Sequence, residues 1–268
     1  MCREVMKIWM RPSEHEVVLL KRKENKRHKK PKINFWLKLL IVLAAAAGIY
    51  LFASSSMFDV TAYEVEGNSY YTDEEVLVMG NCKTGGNIFW GTDCGDIKER
   101  LEQNAYMEKV KVRRILPDTI RIEVTERVQT AALVYGEHYV VIDGEGIVLR
   151  NVEVEPQLTL IKGMTITKIE EGQAVEVEEK VRFRQIMDML GTMNENDMYF
   201  VRVEISEAGV KAYVLENLMC QGTPQDITSS MEAGYLQEAV RELFSRGIER
   251  GTLKVSGDEY ISFSPEID

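Results

Sequence analysis

The chain has 268 residues and a formal net charge of −10, but this charge is unevenly divided. Residues 1–38 hold 12 Lys and Arg against 4 Asp and Glu, which leaves 21 basic and 39 acidic side chains for the rest of the chain. Because residues 39–268 carry an excess of negative charge, this part of the chain is expected to repel polyanions, and nucleic acid is not expected as a partner.

The first predicted element is an apolar helix over Phe35–Ala53, nineteen residues whose only charged side chain is Lys38. At about 1.5 Å of rise per residue, this helix would span roughly 28 Å, close to the hydrocarbon thickness of a bilayer. Lys38 lies near one end, where its long stem can carry the ammonium group to the headgroups. We therefore predict a transmembrane helix over residues 35–56.

A basic tail precedes this helix, with eight Lys and Arg opposed by Glu24 alone between Lys21 and Lys32. Basic flanks of a first apolar helix stay on the cytoplasmic side, so residues 1–34 are expected inside and the domain that follows outside, as in a single-pass type II protein of the cell membrane. The tail's composition is typical of disorder. A cleaved signal peptide is the alternative, although its apolar core would be shorter and its basic region less extended.

An α/β unit is predicted after the membrane helix. A strand ends near Val65, and Thr72 with Glu75 has the spacing of a capping box that begins a short helix. A second helix begins after Thr92 or Asp93, either of which is a suitable N-cap residue.

A β-hairpin follows, in which apolar and charged side chains alternate on both strands. After the turn at Pro117-Asp118, strict alternation places Ile120, Ile122 and Val124 on one face and Arg121 and Glu123 on the other. We expect the apolar face to pack against the two helices. The unit would occupy residues 57–127.

The remaining residues, 128–268, predict a second domain of short strands with two helices. The helices are indicated by helical spacing of apolar residues over 183–193 and 236–244. The predicted strands are 130–135, 139–142, 147–149, 158–161, 199–205, 210–215, 252–255 and 259–264. The exterior part would therefore belong to the α+β class, with a mostly antiparallel sheet.

The sequence offers little for catalysis. His138 is the only histidine beyond the tail, no CxxC or HExxH spacing is present, and no GxSxG motif accompanies His138. We expect no enzyme activity, no catalytic residues, no metal site and no cofactor. Cys82 and Cys94 flank a glycine-containing loop and are candidates for a disulfide, but two unrelated small apolar residues would give the same pattern.

Four strings of the sequence are distinctive: Phe58-Asp59-Val60, Val65-Glu66-Gly67-Asn68, Gly86-Asn87-Ile88-Phe89, and Val110 to Arg127 with its Leu116-Pro117-Asp118 turn. Together with the order of the parts, these strings resemble the FtsQ/DivIB family of bacterial division proteins. The segment His138–Leu149 is similar to the start of the family's β domain. The resemblance implies that 57–127 is a POTRA domain and 128–268 an FtsQ-like β domain.

The resemblance also implies a function. Family members are non-enzymatic scaffolds of the division septum that bind the coiled-coil membrane proteins FtsB/DivIC and FtsL, and through them influence the septal peptidoglycan synthase complex. A membrane-anchored POTRA-like module that handles polypeptides in secretion or envelope assembly is the alternative. A ligand-binding sensor is a third class, for which the tail offers no kinase or transducer domain.

The last predicted strand is the candidate partner-binding site, with Tyr260, Ile261, Ser262 and Phe263 as its residues. A strand near the chain end is expected at a sheet edge, where backbone groups can pair with an added strand. Alternation places Tyr260 and Phe263 on opposite faces. Ile261 and Phe263 suit a role in the core equally well, whereas Tyr260 is the better candidate for a binding hot spot.

Overall fold

The computed structural model describes residues 34–206, 209–257 and 260–265. The chain forms two units, Met1–Phe52 and Ala53–Asp268, which are described separately. In the first, helix α1 covers Phe35–Ala53, is long and apolar enough to cross a membrane, and is exposed throughout its first eighteen residues. The predicted basic tail lies outside the described residues, except for Asn34.

The second unit begins with a three-stranded sheet and two helices. A short 3-10 helix, Ser56–Phe58, leads into this part. Its other elements are β1 (Ala62–Glu66), α2 (Asp73–Met79), α3 (Cys94–Glu102), β2 (Met107–Ile115) and β3 (Thr119–Glu126). The sheet order is β1-β3-β2, with β1 parallel and β2 antiparallel to β3.

Local sequence signals begin both helices where they were predicted. At α2, the Thr72 hydroxyl accepts from the backbone N–H of Glu75, whose carboxylate accepts from the N–H of Thr72, so the capping box is complete. At α3, the Asp93 carboxylate accepts from the N–H groups of Gly95 and Asp96. Each cap satisfies backbone donors that have no partner within the helix.

The two helices pack on the apolar face of the hairpin, as predicted. Ile120, Ile122 and Val124 are buried in one cluster with Val76 from α2 and Leu101 from α3. Arg121 and Glu123 lie on the opposite face, where Arg121 forms ion pairs with the two glutamates of β1.

A nine-stranded sheet forms most of the rest of the unit. Its strands in chain order are β4 (Gln129–Tyr135), β5 (His138–Asp143), β6 (Val148–Val152), β7 (Thr159–Lys162), β10 (Arg202–Ser206), β11 (Gly209–Tyr213), β12 (Leu218–Gly222), β13 (Gly251–Ser256) and β14 (Tyr260–Ser264). A separate two-stranded ribbon pairs β8 (Ile166–Lys168) with β9 (Glu176–Val177).

The sheet order is β14-β13-β12-β11-β10-β7-β4-β5-β6. Five of its neighbouring pairs are antiparallel, and the parallel pairs are β12–β13, β10–β7 and β7–β4. The predicted α+β class with a mostly antiparallel sheet is therefore confirmed.

Three helices accompany this sheet, where the sequence predicted two. They are α4 (Lys180–Glu195), α5 (Pro224–Glu232) and α6 (Tyr235–Ser245), and α5 is the one that was missed. The helices contribute Ile186, Leu190, Ile227 and Leu236 to a core that includes Leu133 and Val203 of the sheet. The correction adds a helix to the core without changing the class.

The opposite face of the sheet is covered at one end by the preceding part of the unit. Tyr106, just before β2, is buried in a cluster with Ala132, Val141, Leu149 and Leu160 of the sheet. Its ring stacks on Tyr70, with centroids 4.4 Å apart. The three-stranded and nine-stranded sheets therefore share an apolar contact.

Candidate functional site

Strand β14 lies at one end of the nine-stranded sheet and, within the described residues, pairs with β13 alone. An antiparallel strand at an edge directs alternate backbone N–H and C=O groups away from its neighbour. These groups can hydrogen-bond to another extended chain, which would add a tenth strand. The predicted edge position is thus the observed one, although Glu259 lies outside the described residues.

The register with β13 decides which way each predicted site residue faces. Ile261 lies opposite Val255 and Phe263 opposite Leu253, and both of these β13 residues are buried in the core. Ile261 and Phe263 are half-buried and pack against the same core. The structure therefore places these two side chains against the core, and their part in partner binding stays a prediction.

Tyr260 and Ser262 face away from that core. Tyr260 lies opposite Ser256, and its side chain is 67% exposed, while Ser262 lies opposite the exposed Lys254. This outward face offers an aromatic ring, hydroxyls and an ammonium group. Lys254 and Ser256 were missed as neighbours of the site, because strand pairing cannot be read from a single strand's alternation.

Gly251, at the start of β13, allows β14 to lie close. A Cβ built at Gly251 would lie 2.6 Å from Cε2 of Phe263 and 2.7 Å from the carbonyl oxygen of Ser264. The residue also has a φ of 133°, which side chains rarely adopt. Glycine at this position therefore lets the Phe263 ring fold over the end of β13.

A hydrogen bond to helix α5 holds Gly257, which follows the end of β13. Gly257 donates its backbone N–H to Oδ1 of Asp226, at 3.0 Å, and Asp226 also belongs to the cap of α5. The cap residue Thr223 accepts from the N–H of Asp226 at 3.1 Å. The missed helix α5 thus helps to hold the edge hairpin in place.

A second polar cluster joins the two sheets. Arg127 connects β3 to β4, and its Nη1 donates to Oδ2 of Asp143 at 2.6 Å and to Oε2 of Glu145 at 3.1 Å. Asp143 is buried, and its Oδ1 accepts from the backbone N–H groups of Glu145 and Ile147. This ion pair was not predicted from the sequence.

Glu126 secures the same junction from the other side. Its carboxylate accepts from the backbone N–H groups of Ser69, Tyr70 and Tyr71, at 2.5 to 3.2 Å. The N–H of Arg127 donates to the carbonyl oxygen of Tyr106 at 2.7 Å. The chain is therefore hydrogen-bonded on both sides where it passes from one sheet to the other.

Cys82 and Cys94 are free thiols in this structure. Both are half-buried beside the core of the three-stranded part, and burial raises the pKa of Cys82 to about 11 and also raises the pKa of Cys94. A bridge between them stays a prediction, which mass measurement before and after reduction and alkylation would test.

The described residues contain no group of three or more His, Cys, Asp or Glu side chains placed to hold a metal ion. A groove of about 710 Å³ lies between the turn at Gly144, the β8–β9 ribbon and α4. Its charged lining mixes both signs: Glu145, Lys168, Glu170, Glu176, Lys180, Arg184 and Asp188. His138 is exposed at the start of β5, away from that lining.

Comparison with known proteins shows which family this chain resembles. Residues 58–127 match the description "POTRA domain, FtsQ-type". The cell division protein DivIB of Clostridium acetobutylicum is 27% identical over 205 residues, which are 74% of this chain and 80% of that protein. The chain is thus similar to the FtsQ/DivIB proteins over much of its length, and residues 58–127 match a POTRA domain of the FtsQ type.

Two further relatives point to the same family. The cell division protein FtsQ of Syntrophotalea carbinolica is 30% identical over 58% of this chain, and FtsQ of Neisseria meningitidis is 30% identical over 52%. These alignments span 54% and 58% of the two relatives. The predicted resemblance to the FtsQ/DivIB family is confirmed, and these relatives support a role in cell division. Within the described residues, one helix, α1, is long and apolar enough to cross a membrane.

Proposed function

We propose that this FtsQ/DivIB protein is a non-enzymatic scaffold of the division machinery. It would bind FtsB/DivIC-like and FtsL-like coiled-coil membrane proteins and, through them, help to control the septal peptidoglycan synthase complex. The observation that carries the proposal is the edge strand β14, with its exposed Tyr260. The family resemblance supports the choice of partners.

The proposed binding mode is strand addition at β14. Five residues of strand span about 17 Å, which is enough for several backbone hydrogen bonds to a partner strand. Tyr260 would supply specificity, because a tyrosine ring offers a large contact area with few torsions to order. Ile261 and Phe263 would act indirectly by holding β14 on the core.

Replacing Tyr260 with alanine is expected to weaken partner capture by about tenfold or more, since hot-spot truncations cost about 2 kcal/mol. The melting temperature should stay nearly unchanged, because the side chain lies outside the core. Affinity for a purified FtsB/DivIC-like partner, measured with the full chain in nanodiscs, checks this. Tyr135→Ala is the matched control, since Tyr135 is also exposed but lies at the end of β4. Equal affinities for both variants would contradict the proposed site.

The domain organisation is proposed as a tail over 1–34, a membrane helix over 35–56, a POTRA domain over 57–127 and a β domain over 128–268. The proposal is supported by the family match over 58–127 and by the change from one sheet to the other between Glu126 and Gln129.

The tail is proposed to lie in the cytoplasm and residues 54–268 outside, at the division septum. Support comes from the eight basic residues against one acidic between Lys21 and Lys32. Protease added to intact spheroplasts is expected to remove the exterior domain and leave a short protected fragment. Full protection of the domain would reverse the topology, and a mature N-terminus near Ser54 would indicate signal-peptide cleavage.

A further inference from the structure

The end of the POTRA domain at which the chain enters from α1 exposes large apolar side chains. Met57 is 60% exposed, Trp90 61% and Leu116 57%. Other apolar side chains of the described residues are also exposed, among them Val78 and Val154, so exposure alone does not decide what these three contact. Their position along the chain indicates what they contact.

Met57 lies close to the membrane helix by connectivity alone. Met57 is the fourth residue after Ala53, the last residue of α1, and an extended chain covers at most about 14 Å over four residues. Met57 itself lies in the 3-10 helix Ser56–Phe58, which shortens that reach. Met57 therefore cannot be far from the end of the apolar segment.

Trp90 is brought to the same end by its loop. Nδ2 of Asn87 donates to the carbonyl oxygen of Ala53 at 2.9 Å, and the N–H of Ile88 donates to the carbonyl oxygen of Phe58 at 2.8 Å. Trp90 is only three residues beyond Asn87, and the N–H of Gly91 donates back to the carbonyl oxygen of Asn87. The loop is thus a tight turn anchored at Ala53.

Arg114 also holds this loop through two hydrogen bonds, which keep Trp90 at the surface. Arg114 donates from Nε to the carbonyl oxygen of Ile88 at 2.6 Å and from Nη2 to that of Thr92 at 2.9 Å. The Phe89 ring packs inward against Phe58, with centroids 5.4 Å apart. With Phe89 turned to the core, the exposed Trp90 ring contacts Phe89 on one side.

We infer that Met57 and Trp90 enter the headgroup layer of the membrane that α1 crosses, so that the lipid surface is a binding partner of the POTRA domain. The polar layer on each side of a bilayer is about 5–7 Å thick, and tryptophan is enriched there. The contact is apolar, since an acidic domain gains nothing from anionic headgroups. It would hold for either orientation of α1 and would restrict the POTRA domain's tilt.

The test uses tryptophan fluorescence of the full chain in nanodiscs that contain lipids with a headgroup nitroxide. Trp9 and Trp36 are replaced by phenylalanine, which leaves Trp90 as the single tryptophan. We expect strong quenching of Trp90 by the nitroxide lipids and weak quenching by iodide in the buffer. The positive control is a variant in which Trp36, within α1, is the single tryptophan. The negative control lacks all three native tryptophans and carries Tyr235→Trp at the start of α6.

Two results would overturn the inference. If iodide quenches the emission of Trp90 and nitroxide lipids leave it unchanged, the ring lies in water. A blue-shifted emission that neither quencher affects would place it in a protein contact, such as one between copies of the chain. Because the nanodiscs contain no other protein, quenching by nitroxide lipids cannot arise through a division partner.

Discussion

An Ile122→Asp variant is expected to lose more than about 4 kcal/mol of unfolding free energy, because it buries a carboxylate with no partner. Ile122 is fully buried in the middle of β3, among residues of α2 and α3. A loss of this size is a large part of the stability of a typical domain. Chemical denaturation followed by circular dichroism measures it.

Thr125→Asp is the matched control, since it places the same carboxylate on the exposed face of the same strand, opposite Lys109. Its stability should change by no more than about 0.5 kcal/mol. Arg121→Asp is a poorer control, although Arg121 also points outward. It would remove the ion pairs with Glu64 and Glu66 and place a third carboxylate beside them. Equal stabilities of the Ile122 and Thr125 variants would mean that the register of β3 is wrong.

Arg127→Ala is expected to cost about 3 kcal/mol, because removing one partner of a buried ion pair leaves the other charge uncompensated. The Arg127 side chain is 18% exposed and that of Asp143 is 6% exposed. The change should also loosen the connection between the POTRA domain and the β domain, since Arg127 lies between β3 and β4. Thermal unfolding gives the stability, and hydrogen exchange of residues 126–147 gives the local effect.

Arg113→Ala is the control for the loss of an exposed ion pair. The Arg113 side chain is 64% exposed, and its Nη1 lies 3.8 Å from Oε1 of Glu123. A surface ion pair of this kind contributes less than about 1 kcal/mol. If the two arginine variants had equal unfolding free energies, the Arg127–Asp143 pair would stabilise the protein no more than a surface ion pair does.

The POTRA domain could be predicted closely because its signals are local. The alternation of β3 and the caps at Thr72 and Asp93 each act within a few residues, and each is found where it was expected. Such signals arise from backbone hydrogen bonds and side-chain direction, which a single sequence carries.

The β domain was predicted less completely because its signals are short or non-local. Helix α5 has only nine residues, and Ile227 and Met231 alone give it an apolar face; Thr223 followed by Pro224 was the signal that could have revealed its start. Strand β12 shows only Leu218 and Cys220 as buried alternating positions. The insertion of β7 between β4 and β10 depends on pairing across distant segments.

The candidate site illustrates the same limit. Alternation placed Tyr260 and Phe263 on opposite faces, but which face packs on the core became clear only from the register with β13. The Arg127–Asp143 pair joins residues 16 positions apart, and no local pattern marks it. Partner binding at β14 stays a prediction.

Site-specific photo-crosslinking in dividing cells tests the proposed function most directly. A photoreactive amino acid replaces Tyr260 in one strain and the exposed control Tyr135 in another, and the captured proteins are identified by mass spectrometry. The account predicts that position 260 captures an FtsB/DivIC-like or FtsL-like membrane protein and that position 135 does not. Capture at position 260 of secretion or envelope-assembly components, or the same division proteins captured equally at both positions, would contradict it.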